Sequence, residues 1–438
     1  MLESNNVQVS KEASESSSSH AQAGDARQQL SSEFVSAGAP RITSFLEEPG
    51  NGEDAVYKAI LGAKESVQMW MYHLTDPGTV DALQTAHDNG KDVSVILDKK
   101  SLSTPSFAAG PDKLEADGVN VVQSSDAFNI SHGKTFLIDG TTSYITSINL
   151  TKTAYKTRDF GVSTDDPMVA SDLKKLFQAD LSNAQSNEGQ TPALLSPFLV
   201  VSPIDEGPDA QAVQQNQSQI TDALAALSPD QRASATDDFA KATSSYTSLE
   251  QLAAERDLSH LPNGDQLLEL FAEKMKAENI NRIQGIVDRA NTKVVGETEN
   301  LGAREIQSSI IAAATRGVEV DLIIPESDRG INYNAQAVQA LLAASEPLEA
   351  KGLPGIHIKE MPGPESLDKP YTHAKWLVAD DDKEGYLGSE NYTNNSLHHS
   401  REIGLVLNDA PTMQKMVSDF NHDWSRADGP PFKSSESQ

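Results

Sequence analysis

The sequence predicts an α/β protein assembled from two copies of one unit, and three observations predict it. From Ala39 onward, short apolar strands alternate with amphipathic helices, the pattern of a sheet with helices on its faces. Segments of the first half recur in the second in the same order, which marks an internal repeat. A His-x-Lys-x-x-x-x-Asp motif stands at equivalent places in both halves, at His132 and at His373.

The elements read off in order. Ile42 to Leu46 has strand character, and Pro49, Gly50 and Gly52 break it. Ala55 to Ala63 carries apolar residues at helical spacing, Val67 to Tyr72 reads as a strand, Val80 to His87 as a helix and Val93 to Leu97 as a strand. The repeat then sets in. Phe198 to Pro203 mirrors Ser44 to Pro49, Ala290 to Val295 mirrors Ala63 to Gln68, and Gly317 to Ile323 mirrors Gly90 to Ile96. Near the end of each half, Phe177-Gln178-Ala179-Asp180-Leu181 mirrors Phe420-Asn421-His422-Asp423-Trp424. Each match alone is weak; their common order is what carries the duplication.

Between the copies lies a long polar stretch with helical character at Ile220 to Leu227, Leu249 to Glu255 and Leu267 to Met275. Ser228-Pro229-Asp230 has the form of a helix start, with Ser228 as cap. The chain thus divides into a disordered Ser-rich arm over 1–38, a first domain over 39–190, a second over 191–430 and a tail over 431–438. The second domain carries a helical insertion at about 204–280, either a lid or a surface appendage.

Composition bounds the function. The 438 residues include no cysteine, which removes disulfides, thiolate metal sites and cysteine nucleophiles. A net charge of −29 sets the surface against polyanions and strongly anionic membranes, unless a local basic pocket lies inside. No apolar run approaches the length that crosses a bilayer. The first residues lack the basic start and apolar core of a secretory signal. The expectation is therefore a cytosolic protein or one exported by a non-classical route.

The chemistry concentrates in the repeated motif. The first copy runs His132-Gly133-Lys134 to Asp139, followed by Ser147 and Asn149; the second runs His373-Ala374-Lys375 to Asp380, followed by Ser389 and Asn391. Each copy then presents a basic–acidic pair before an apolar strand, Arg158-Asp159 and Arg401-Glu402. Alternate side chains of a strand share a face, so each copy sets an imidazole beside an ammonium. Two such pairs facing each other suit phosphoryl transfer. The lysines and Asn149 and Asn391 neutralise phosphate oxygens, one imidazole attacks phosphorus, and the other protonates the leaving oxygen. No His-Glu-x-x-His and no Gly-x-Ser-x-Gly is present, and Phe128 stands where a phosphate loop ending at Gly133-Lys134-Thr135 requires its first glycine. The reading calls for no metal and no cofactor.

Lesser candidates are His73 at a strand end, His398 and His399 in a solvated loop near the site, and Trp70, Trp376 and Trp424 as core.

This constellation resembles the phospholipase D superfamily, whose mark is a duplicated His-x-Lys-x-x-x-x-Asp motif followed by Gly-Ser-x-Asn. The resemblance covers about 39–430 less the insertion, and Thr146 departs from it at the first glycine of the downstream motif. It implies two α/β domains related by a pseudo-twofold axis, with one active site at their interface. It implies His132 as nucleophile and His373 as general acid. Lys134, Lys375, Asn149 and Asn391 match the phosphate-binding positions. Asp139, Asp380, Asp159 and Glu402 are the candidates for orienting the histidines, and Ser147 and Ser389 flank the asparagines. The expected activity is hydrolysis or head-group exchange of a phospholipid phosphodiester, by a monomer in peripheral contact with a membrane. Three alternatives are a nuclease, disfavoured by the acidity and the lack of Lys/Arg clusters, a cardiolipin synthase-like transferase, and a non-enzymatic scaffold that only binds phosphorylated ligands, disfavoured because both motifs are complete.

Overall fold

Both halves fold into the same seven-stranded mixed sheet. The computed structural model describes residues 40–192, 198–204, 282–326, 334–361 and 370–428, with short pieces at 196, 218–220, 222–232, 235, 261–264, 266–267 and 270. The Ser-rich arm and the tail of the sequence reading lie outside the described residues.

The first half contains β1 (Ile42–Glu48), α1 (Gly52–Leu61), β2 (Ser66–Met71), α2 (Pro77–Asp88), β3 (Asp92–Leu97), α3 (Pro105–Ala116), β4 (Asn120–Gln123), β5 (Thr135–Ile138), β6 (Thr142–Thr146), β7 (Asp159–Thr164) and α4 (Pro167–Ser186). The second contains β8 (Leu199–Ser202), α5 (Arg282–Arg289), β9 (Lys293–Thr298), α6 (Arg304–Thr315), β10 (Glu319–Pro325), α7 (Ala335–Glu349), β11 (Ile356–Met361), β12 (Lys375–Ala379), β13 (Glu384–Gly388), α8 (Asn394–His399), β14 (Glu402–Leu407) and α9 (Ala410–Trp424). Strand order is β1-β7-β6-β5-β2-β3-β4 in one sheet and β8-β14-β13-β12-β9-β10-β11 in the other, the same topology twice. In each, three parallel strands (β2, β3, β4; β9, β10, β11) adjoin an antiparallel set. Even the proline breaks correspond: Glu48-Pro49 and Ser202-Pro203 are both cis.

The strands read as near-continuous apolar runs because both faces are covered; β3 and β10 are buried at every position but the first. Helix α2 begins at Pro77, ahead of the apolar spacing that marks it in the sequence. The Asp76 side chain caps it, accepting from the Thr79 N–H at 2.7 Å. Asp166 and Asp409 cap α4 and α9 in the same way, at equivalent places in the two halves.

One apolar core runs unbroken from the inner face of the first sheet into the second half, through Trp70, Phe160, Phe177, Trp376 and Phe420. Phe160 of the first half meets Trp376 of the second edge-on at 5.9 Å between ring centroids. A separate core fills the other face of the first sheet, around Val67, Met69 and Leu83. Within the insertion, Ser228 accepts from the Gln231 N–H as expected of a cap. Ile220, Ala223, Leu227, Leu261 and Leu267 form a small cluster of their own. Residues 249–255 and most of 267–275 lie outside the described residues.

Candidate active site

The parallel strands β2 and β9 end where β5 and β12 begin, so Trp70 pairs with Thr135 and Thr298 with Lys375. That edge of each sheet carries one motif, and the two edges meet. His132 and Gly133 donate their backbone N–H groups to the Arg401 carbonyl, at 2.8 and 3.1 Å. His373 and Ala374 donate theirs to the Arg158 carbonyl, at 3.0 and 2.8 Å. Each motif is thus pinned by the arginine of the opposite half.

The carboxylate after each arginine completes the exchange. Glu402 lies 2.9 Å from His132 Nδ1, and Asp159 lies 2.9 Å from His373 Nδ1. Both carboxylates are fully buried. A carboxylate on Nδ1 holds the proton there and leaves Nε2 facing the open side of the ring. Ser147 donates to Asp159 at 2.5 Å, as does Thr157 at 2.6 Å, while Ser396 donates to Glu402 at 2.5 Å. Ser389 accepts from the Ile403 N–H at 3.0 Å, and its hydroxyl also bonds Glu402 and favours the ionised carboxylate.

The arginine side chains clamp the halves. Arg158 donates to Asp423 on α9 at 2.6 and 3.0 Å, and Arg401 donates to Asp180 on α4 at 2.9 Å. The repeated aspartates near the ends of the two halves are these partners. All four groups are buried.

Burial, with Lys134, Lys375 and His373 nearby, holds the His132 imidazole well below its ordinary range, so it is neutral. Burial also pushes the Glu402 carboxyl up to about 7 and the Lys134 ammonium down to about 7. Lys134 donates to the His132 carbonyl at 2.6 Å, and its Nζ stands 5.3 Å from the Tyr72 ring centroid. The amide oxygens of Asn149 and Asn391 are buried without a hydrogen-bond partner. Thr146, in the place of the motif glycine, donates to the Lys134 carbonyl at 2.9 Å and accepts from the Ile148 N–H at 3.1 Å. The missing side chain of Gly161 makes room for its methyl group.

Two sequence expectations are corrected. Asp139 and Asp380 do not reach the histidines. They lie beyond the other ends of β5 and β12, about five residues or roughly 16 Å along the strand from the lysines. Both adopt left-handed backbone, at φ 55° and 52°. Each fastens the start of a neighbouring strand: Asp139 accepts from the N–H groups of Lys64, Glu65 and Ser66, and Asp380 from those of Asn291, Thr292 and Lys293. A carboxylate with a positive φ satisfies three converging donors at such a turn. His398 and His399 also differ from expectation: they sit on α8, with His398 bonded to Glu305 at 2.9 Å and to the Ile204 carbonyl at 3.0 Å.

His73 stacks between Tyr72 and Phe107, each at 3.9 Å, and burial pushes it down to about 3. Trp70 and Trp376 are fully buried core, and Trp424 stacks on Phe420.

Glu299 belongs to neither sequence motif, yet it stands in the site. It follows β9 directly, and its carboxylate lies 3.0 Å from Lys375 Nζ, 3.4 Å from Asn391 Nδ2 and 3.7 Å from His373 Nε2. Burial pushes its carboxyl up, but Lys375 and His373 outweigh that and hold it well below the usual range. The first half has Tyr72 at the equivalent position, and aligning the two strands residue by residue was the signal that could have exposed it.

Among the described residues, one group of metal-ligating types converges, Glu319, Asp321 and His357. It sits at the opposite end of the second sheet from His373, and Lys293 already neutralises Asp321 at 2.7 Å.

The family model described as "Cardiolipin synthase, PLD-like domain" matches residues 56–181 and 285–424, once in each half. A mitochondrial cardiolipin hydrolase of Xenopus laevis is 28% identical over 120 residues, 27% of this chain and 56% of the relative. Cardiolipin synthase A of Escherichia coli O157:H7 is 28% identical over 149 residues, 32% of this chain and 30% of the relative. The chain therefore spans about half the length of the first and less than a third of the second. A phosphatidylserine synthase of Haemophilus influenzae Rd KW20 shares the fold across 92% of this chain and 91% of its own, at a TM-score of 0.56 and 13% identity. A polyphosphate kinase of Porphyromonas gingivalis does so over 90% of this chain and 53% of its own, at a TM-score of 0.51 and 12% identity. With the duplicated domain matched over more than half its length, the chain belongs to the phospholipase D superfamily.

Proposed function

We propose that the protein transfers the phosphatidyl group of a phospholipid from its head group to water or to an alcohol. The observation that carries this is the crossed pair of histidines, each tied at Nδ1 to a carboxylate of the other half and flanked by a buried lysine. In the first step His132 Nε2 attacks phosphorus. The bond to the head-group oxygen breaks, and His373 gives that oxygen its proton. In the second, His373 takes a proton from water or an alcohol, whose oxygen attacks phosphorus and releases His132. The neutral state of His132 supports its role as nucleophile, since a protonated ring has no lone pair at Nε2. Lys134, Lys375, Asn149 and Asn391 are the groups that would hold the phosphate oxygens, and an arriving phosphate would recharge Lys134.

Transfer between lipids is the second reading. It draws on the cardiolipin synthase description of the matched family and on the relative of that name.

One experiment separates the readings. The protein is incubated with vesicles of phosphatidylcholine and phosphatidylglycerol in excess chelator. Free choline with phosphatidate is the expected product of hydrolysis, and diphosphatidylglycerol that of transfer. Neither product, together with cleavage of DNA or RNA, overturns both. In the His373→Asn variant supplied with bis-p-nitrophenyl phosphate, whose leaving group departs without a proton, a phosphoenzyme on His132 is expected to persist for want of the base; an adduct elsewhere reverses the roles.

A further inference from the structure

The two halves of the site are not equivalent, and the difference lies where a phosphate would sit. Following β2, the first half offers the phenol ring of Tyr72, which meets His132 edge-on at 4.7 Å. After β9, the second half offers the carboxylate of Glu299. That carboxylate touches Lys375 at 3.0 Å and Asn391 at 3.4 Å, and lies 3.7 Å from His373 Nε2. Tyr371 donates to it as well, at 3.2 Å. Three of these four groups are the ones the proposed function assigns to the substrate phosphate or its leaving group.

We infer that Glu299 is an internal anion occupying the second-half part of the phosphate seat, and that it selects for singly charged phosphodiesters against doubly charged phosphate monoesters and inorganic phosphate. This deepens the reading above and rests on it.

Charge and space both set Glu299 against an entering dianion. Of the two lysines, Lys134 stands against the histidine-bound Glu402, both shifted to about 7, and Lys375 against the histidine-bound Asp159, so neither pair leaves a surplus of positive charge. Glu299 adds a further negative charge with side-chain exposure of only 20%, so solvent screens it poorly. An entering phosphate must take Lys375 and Asn391 from this carboxylate and then remain beside it. A diester brings one negative charge to that encounter, whereas a monoester or free phosphate brings about 1.5 to 2 near neutral pH. The repulsion scales with the charge of the ligand. Two consequences follow: hydrolysis products ending in a monoester dissociate readily, and ambient phosphate does not clog the centre.

The test uses the full chain and titration calorimetry at pH 7.5 with inorganic phosphate and with dimethyl phosphate, a singly charged diester. Glu299→Gln is expected to bind inorganic phosphate about tenfold or more tighter than the wild type, with a smaller gain for dimethyl phosphate, as removal of one poorly screened like charge requires. Glu299→Tyr, which installs the residue of the first half, should gain in the same order, and thermal unfolding checks that each variant is folded. Equal affinity of wild type and both folded variants for inorganic phosphate overturns the inference while leaving the phosphate seat intact. Equal gains for the two ligands overturn the charge selection. Absence of binding of either ligand to the wild type and to both folded variants removes the seat itself and the proposed function with it.

Discussion

Replacing Asp159 with asparagine isolates what the crossed carboxylates contribute. The side chain is fully buried and nearly unchanged in size, so packing is kept. The wild-type carboxylate only accepts, and three donors converge on it: His373 Nδ1 at 2.9 Å, Ser147 Oγ at 2.5 Å and Thr157 Oγ1 at 2.6 Å. An amide has one accepting oxygen, and its NH2 group must face one of those donors. The imidazolium that forms or is consumed on His373 then loses a charge-assisted hydrogen bond, about 1.5–3 kcal/mol, which is about 10–150-fold in rate. If the NH2 group faces Nδ1 it also forces the wrong tautomer, a defect that costs about 10⁴-fold in serine protease triads. The expected fall in kcat is therefore about 10²-fold, bounded by about 10⁴-fold, with KM changed far less. The assay is steady-state hydrolysis of bis-p-nitrophenyl phosphate in chelator, with thermal unfolding as control. A folded Asp159→Asn protein whose kcat stays within about threefold of wild type, while His373→Asn is inactive, would refute the positioning argument.

Three further outcomes follow from the same geometry. Asp139→Ala removes the acceptor of three backbone N–H groups. It should cost about 1–3 kcal/mol of stability and leave kcat per folded molecule unchanged; a hundredfold loss of kcat would return Asp139 to the site. Asp423→Ala strands the buried Arg158 guanidinium at the junction, for an expected loss of about 3–5 kcal/mol in denaturant unfolding; a loss under about 1 kcal/mol would mean that Glu47 alone suffices. Burial pushes the Glu390 carboxyl from 4.5 up to about 8, so the folded state holds a proton that the unfolded chain releases. That contribution to stability is present below pH 4.5 and is lost as pH rises toward 8. Glu390→Gln should therefore raise the Tm at pH 8 and change it little at pH 4.5; equal shifts at both would contradict the sign.

The duplication was legible because it is written in local patterns: an apolar strand followed by a motif of fixed spacing. The pairing of residue 132 with 402, and of 373 with 159, was not. Nothing near either histidine names its partner, and only docking of the halves brings them together. Asp139 and Asp380 misled because constant spacing looks like shared chemistry. Here it reflects the length of a four- or five-residue strand with a fastened turn at its end. The aspartates at 180 and 423 were visible as repeats, but their use as clamps on the opposite arginine follows only from three-dimensional contact. Glu299 was hidden for a different reason: the motif does not include it, and the first half has a tyrosine there.

The exchange of carboxylates across the junction makes the enzyme its own assembly check. A nascent chain that has released only its first lobe owns His132 without Glu402 to steer the ring, and Asp159 with no imidazole to hold. A lobe cut free by proteolysis is in the same position. Neither fragment carries both members of either histidine–carboxylate pair, so the proposed attack on a phosphodiester awaits the moment when both lobes have closed on each other.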